Sequence, residues 1–127
     1  MQSLIRSTLK VYGFLELFCG ACGLTLVVMV TSVPCILPWD VRYGQEFDIV
    51  AHRMLFLTMI RSQLIRALHF GTPCQSQTFA RWPQLRSWSH LRGLQGLSQA
   101  QQALVDLGNQ LADVTVELCL ALHAVSS

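Results

Sequence analysis

Two apolar runs separated by small residues open the chain's pattern: Val11 to Phe18 and Leu24 to Val30, with Cys19, Gly20, Cys22 and Gly23 between them. A short apolar run that breaks at glycine and then resumes predicts a strand over 11–18, a tight turn over 19–23 and a helix over 24–31. Apolar residues 33–38 predict a second strand, and Asp40 to Asp48 form an acidic loop. Phe47 to Val50 fits either a short strand or the approach to a helix over 51–63, and Ile65 to Phe70 fits a further strand that ends at Gly71. Residues 71–97 carry Pro73, Pro83, Gly93 and Gly96, with Trp82 and Trp88 between arginines, and read as one long loop of the kind that serves function.

The clearest periodicity comes last. Ala100, Leu104, Leu107, Leu111, Val114, Leu118, Ala121 and Val125 recur in alternating steps of four and three behind a capping box of Ser98 and Gln101. They predict an amphipathic helix of about 27 residues with Gln102, Asp106, Asn109, Asp113 and Glu117 on its polar face. Beyond Glu117 the helix is apolar all round except for His123, which implies a cover over that end.

Composition sharpens this picture. The 127 residues suffice for one domain, 1–127, and with 52% hydrophobic and 13% charged residues they exclude disorder as the main state. Continuous apolar strands between helices indicate an α/β domain with a mostly parallel sheet covered on both faces. No charge occurs from Leu17 to Trp39, but Gly20, Gly23, Pro34 and Pro38 interrupt the stretch. It therefore reads as a buried helix followed by a buried strand rather than a membrane span. Glu16 follows Lys10 inside the first apolar run, which argues against a secretory signal and for an intracellular location, nuclear in a eukaryote. Five cysteines at irregular spacing suit a reducing compartment, and four scattered histidines offer no metal site.

The formal charge of +2 is unevenly spread. Between Ile49 and Val105 there is no carboxylate, while Arg53, Arg61, Arg66, Arg81, Arg86 and Arg92 all fall there. Arginine suits bidentate phosphate contacts, so the block is either a phosphate-binding surface or a solvated basic face.

Glu16-Leu17-Phe18-Cys19-Gly20-Ala21-Cys22-Gly23 and Gly71-Thr72-Pro73-Cys74-Gln75-Ser76 together resemble the DNA (cytosine-5) methyltransferases. The resemblance implies a Rossmann-like fold that binds S-adenosylmethionine at the carboxyl edge of its sheet, incomplete here at the C-terminus. It assigns Phe18, Gly20, Gly23, Leu24, Asp40, Asp48 and Pro73 to the cofactor, with Asp40 at the ribose hydroxyls and Asp48 near the adenine. Cys74 becomes the nucleophile that adds to C6 of cytosine, and Gln75, Ser76, Arg81 and Arg86 become contacts to cytosine-containing DNA. Residues 71–97 become the catalytic, arginine-rich loop. Cys22 departs from the pattern where a glycine is usual, and a positive φ there would strain it.

Leu85-Arg86-Ser87 and Gly108-Asn109 also look like motifs of some family members. The resemblance runs from Val11 to Val125 and stops before the family's Glu-Asn motif, whose glutamate contacts N3 of the flipped base. The expectation is thus an inactive fragment, or a domain whose sheet another chain completes. Three other readings stand beside it: a non-catalytic remnant that binds cofactor or nucleic acid, a thioredoxin-like redox protein with Cys19 as nucleophile and Cys22 as its partner, and a small membrane-associated protein.

Overall fold

The computed structural model describes residues 13–73, 75–78 and 81–126. They form a small mixed α/β domain with a two-stranded parallel sheet and three α-helices. In chain order these are β1 (Gly13–Leu17), α1 (Gly23–Val30), α2 (Arg53–Arg61), β2 (Ile65–Phe70) and α3 (Gln99–Ser126). β1 pairs with β2 in the register Leu15 with Leu68, Glu16 with His69 and Leu17 with Phe70.

The other edge of β1 is only partly used. Predicted as a strand, residues 33–38 instead form two isolated parallel bridges, Phe14 to Cys35 and Leu17 to Trp39. Pro34 and Pro38 have no N–H to donate, so the ladder is interrupted. What survives is Ile36 N–H donating to Phe14 at 2.8 Å and Trp39 N–H donating to Glu16 at 3.1 Å, with Phe14 N–H donating to Pro34 at 2.9 Å and Cys19 N–H to Trp39 at 3.2 Å in return. Phe47 to Val50 is no strand either: a single 3₁₀ turn at Gln45–Phe47 leads towards α2.

Alternation along β1 divides its side chains between two faces. Leu15 and Leu17 enter the main core with Ile49, Phe56, Leu57, Ile60, Ile65, Val114 and Leu118. α2 and α3 supply most of that layer and pack on each other. Trp39 meets Phe56 edge-on, with ring centroids 5.0 Å apart, and extends the core towards the acidic loop. Glu16, on the alternate face, is bonded to Thr25 of α1.

α1 was expected to be buried, and it is not. Thr25 is its one buried residue, while Leu26, Val27, Met29 and Val30 are 57–85% exposed. An eight-residue helix that is apolar all round can bury only one side against a sheet this narrow. No helix among the described residues is long and apolar enough to cross a membrane.

α3 follows its periodicity closely. The capping box is formed in both directions, Ser98 N–H donating to Gln101 Oε1 at 3.0 Å and Gln101 N–H donating to Ser98 Oγ at 3.2 Å. Its buried stripe is Val105, Gly108, Leu111, Val114 and Leu118. Leu107, expected inside, is 51% exposed, and Leu120 in the last turns is 63% exposed.

Candidate functional site

At the end of β1 the chain makes a tight turn with φ near +55° at Phe18, +54° at Gly20 and +61° at Cys22. Cys22 thus occupies the left-handed region that the sequence comparison with a glycine pattern had flagged, and as the N-cap of α1 it provides no side-chain hydrogen bond. Beneath the turn, the buried Glu16 carboxylate accepts from Thr25 N–H at 3.3 Å and Thr25 Oγ1 at 2.9 Å. A carboxylate at a helix N-terminus is favourably placed against the peptide dipoles, so Glu16 anchors α1 to β1.

The acidic loop holds the turn from the other side. Gly20 N–H donates to Asp40 Oδ2 at 2.9 Å, and Tyr43 Oη donates to the Gly20 carbonyl at 2.5 Å. Asp40 Oδ1 accepts from Arg42 N–H at 3.0 Å. Each Asp40 oxygen therefore keeps capacity for a further donor after its backbone bond. Asp48 Oδ1 caps the next turn by accepting from Val50 N–H at 3.0 Å.

Between these segments and α3 lies a cavity of about 480 Å³. Phe18, Asp40, Asp48, Pro73 and Gln75, all singled out from sequence, line it. So do Val41, Gln45, Ile49, Val50, Leu107, Gln110 and Leu111, which sequence reasoning had not assigned to a site. Leu107, Gln110 and Leu111 share one face of α3 at i, i+3 and i+4, and the half-exposed Leu107 is the apolar position that the core leaves over.

Other expected site residues fall elsewhere. Gly23 and Leu24 open α1 and do not line the cavity, and a Cβ at Gly23 would meet nothing within 4 Å. Gly20 is likewise not on the cavity wall but stands behind it, held by Asp40. Cys74 lies outside the described residues, and its two neighbours are at the cavity.

Ser76 and Arg86 were expected at nucleic acid, and the structure uses both internally. Ser76 is 4% exposed and Arg86 is 9% exposed. Arg86 donates through Nε to the Ser76 carbonyl at 3.1 Å and through one terminal nitrogen to Leu91 O and Asn109 Oδ1, both at 2.7 Å. Its other terminal nitrogen reaches Ser76 Oγ at 2.9 Å and Val105 O at 3.1 Å. A guanidinium has five N–H groups, so none remains for a phosphate. Burial, and then the charge of Arg92, push its pKa below the ordinary arginine value.

This cluster also accounts for Gly108. A Cβ there would come within 2.4 Å of Ser76 Oγ and 3.0 Å of an Arg86 terminal nitrogen, so the loop lies directly on the helix backbone. Arg81 is partly buried, and its Nε is shielded from solvent without a hydrogen-bond partner among the described residues. No group of three His, Cys, Asp or Glu residues that could hold a metal occurs among the described residues. Comparison with protein-family models, curated proteins and solved structures gives no match to this chain.

Proposed function

We propose that this chain is a S-adenosylmethionine-binding domain of the DNA (cytosine-5) methyltransferase type, with the cofactor in the cavity beyond the carboxyl ends of β1 and β2. The observation that carries the reading is the convergence of Phe18, Asp40, Asp48 and Pro73, from separate segments of the chain, on one cavity, with Gln75, which the resemblance assigns to DNA, beside them. Its volume of about 480 Å³ suits a small-molecule cofactor. Strand order supports the same reading. The chain leaves β1 to bridge its one edge at Cys35 and Trp39 and returns as β2 on the other, and ligands of Rossmann-like sheets bind where the order reverses in this way.

The lining also discriminates between cofactors. It contains two aspartates and no arginine, lysine or histidine. That favours the cationic sulfonium of S-adenosylmethionine over the phosphates of a dinucleotide. Asp40 and Asp48 would accept hydrogen bonds from the nucleoside, Phe18 would supply an apolar wall, and the bound cofactor would supply the methyl group. Cys74 would be the nucleophile: its thiolate would add to C6 of a flipped cytosine and make C5 nucleophilic. The resemblance matches no residue of this chain to the glutamate that contacts N3, so cofactor binding rather than turnover is the property to test.

Calorimetric titration with S-adenosylhomocysteine should give micromolar binding by the unaltered chain. Leu107→Trp fills the cavity from an exposed helix position and should weaken binding at least tenfold without changing the denaturation midpoint. Absence of binding by the folded, unaltered chain would overturn the proposal.

A further inference from the structure

The turn that closes β1 carries two thiols, Cys19 and Cys22, whose sulfurs are 3.2 Å apart and unbonded. The backbone sets this distance: Cys22 N–H donates to the Cys19 carbonyl at 2.8 Å, and the left-handed conformation of Cys22 closes the turn. The intervening Gly20 is fixed at both its N–H and its carbonyl by Asp40 and Tyr43. Two thiols are thus held in contact by a turn that the surrounding loop immobilises.

We propose that Cys19 and Cys22 form a thiol–disulfide exchange site that a small-molecule disulfide, such as glutathione disulfide, oxidises to an intramolecular bond. A disulfide needs about 2.05 Å between sulfurs, so closure requires a shift of little more than 1 Å, within reach of side-chain rotation. The inference goes beyond cofactor binding and does not depend on it.

The environment decides the order of attack. Cys19 is buried and Cys22 is partly exposed. Burial, and then the hydrogen bond with Cys22, push the Cys19 thiol up to about 12, so it keeps its proton. Cys22 is therefore the attacking group, the reverse of the order read from the sequence motif. Its thiolate displaces one glutathione thiolate from the glutathione disulfide and becomes a mixed disulfide. Cys19 then gives its proton to the departed thiolate and attacks the Cys22 sulfur, which releases the second glutathione. In sum, two protein thiols lose two electrons and two protons, and one glutathione disulfide becomes two glutathione thiols.

Cys35 and Cys119 provide internal controls. Neither has a sulfur neighbour among the described residues, and Cys119 is exposed on α3. Each can form a mixed disulfide but has no described resolving partner.

The test equilibrates the full chain in glutathione buffers of rising oxidised fraction, quenches with acid, alkylates, and locates each modification by fragmentation mass spectrometry. Cys19 and Cys22 should lose two hydrogens together and escape alkylation, while Cys35 and Cys119 carry glutathione. The equilibrium constant for the bond should be at least tenfold larger in the native chain than in the same chain in denaturant, which corresponds to about 30 mV for a two-electron couple. Cys19→Ser should stop at a glutathione adduct on Cys22. The proposal is overturned if native Cys19 and Cys22 stay open while Cys119 is glutathionylated, or if native and denatured chains give equal constants.

Discussion

Replacing Arg86 distinguishes an internal tie from a nucleic-acid contact, because the two roles predict opposite behaviour. Arg86→Met keeps most of the apolar stem and removes all five hydrogen bonds that join Ser76, Leu91, Val105 and Asn109. Buried acceptors left without donors cost about 1 to 3 kcal/mol each. Val105 O lies within α3, where a helical bond is also available to it, so the losses concentrate on the Ser76 and Leu91 carbonyls and Asn109. Part of the cost is offset because a charge no longer has to be buried. The net destabilisation should be about 3 kcal/mol, a large share of the roughly 5 to 15 kcal/mol that holds a domain together. With a urea dependence of about 2 kcal/mol per molar, the denaturation midpoint should fall by about 1.5 M. Arg86→Lys retains the charge but has three donors instead of five, and its midpoint should lie between the two. If Arg86→Met leaves the midpoint within about 0.3 M of the unaltered chain, the tie is wrong. Should the same variant then lose DNA affinity, Arg86 faces nucleic acid after all.

Gly108→Ala gains about 1 kcal/mol of helix propensity but drives a methyl into Ser76 Oγ, so net destabilisation by urea titration is expected, relieved when combined with Ser76→Ala. Cys22→Gly should stabilise the reduced chain by about 1 kcal/mol because glycine adopts the positive φ without steric cost, and a lower midpoint would refute the strain. Hydrogen bonds from Arg92 and Arg53 hold the Asp113 and Glu117 carboxyls below their ordinary 3.8 and 4.5. Both stay ionised to lower pH in the folded chain than in the unfolded one, so their stabilisation is complete above those values and is lost as pH falls through the folded ones. An acid limb of stability that Asp113→Asn with Glu117→Gln fails to flatten would contradict this. On the proposed reading, withdrawing Arg53, Arg86 and Arg92, which are hydrogen-bonded within the fold, from phosphate contact limits the loss of DNA affinity between 50 and 200 mM salt to about 40-fold or less, against about 2,000-fold if all six arginines of the block contributed. Fluorescence anisotropy with a labelled duplex separates these values.

Local patterns carried much of the architecture, and pairing partners carried the rest. The period of α3 and its capping box were legible because both depend on residues within a turn or two of each other. The end of β1, the turn at Gly20 and the edge strand Ile65–Phe70 were legible for the same reason, since apolar runs stop where glycine stops them. Residues 33–38 misled because their apolar content suits a strand, while Pro34 and Pro38 deny the ladder the donors it needs. α1 misled differently. Its residues are apolar enough for burial, but burial depends on what lies across from them, and a two-stranded sheet presents too little surface.

Charge shows the same division between what lies along the chain and what lies across it. The run without carboxylates from Ile49 to Val105 suggested a basic surface, yet two of its arginines find acids on α3, beyond the window. Arg53 meets Glu117, and Arg92 meets Asp113 through two bonds of 2.9 Å. Arg86 is satisfied by carbonyls, a hydroxyl and an amide without any acid at all. Half of the basic block is thereby spent on fastening the 71–97 loop and α2 to the long helix. That fastening sets Pro73 and Gln75 opposite Asp40 and Asp48, so the arginines shape the cavity without touching it, and the carboxylates that do touch it decide the charge of what it can accept.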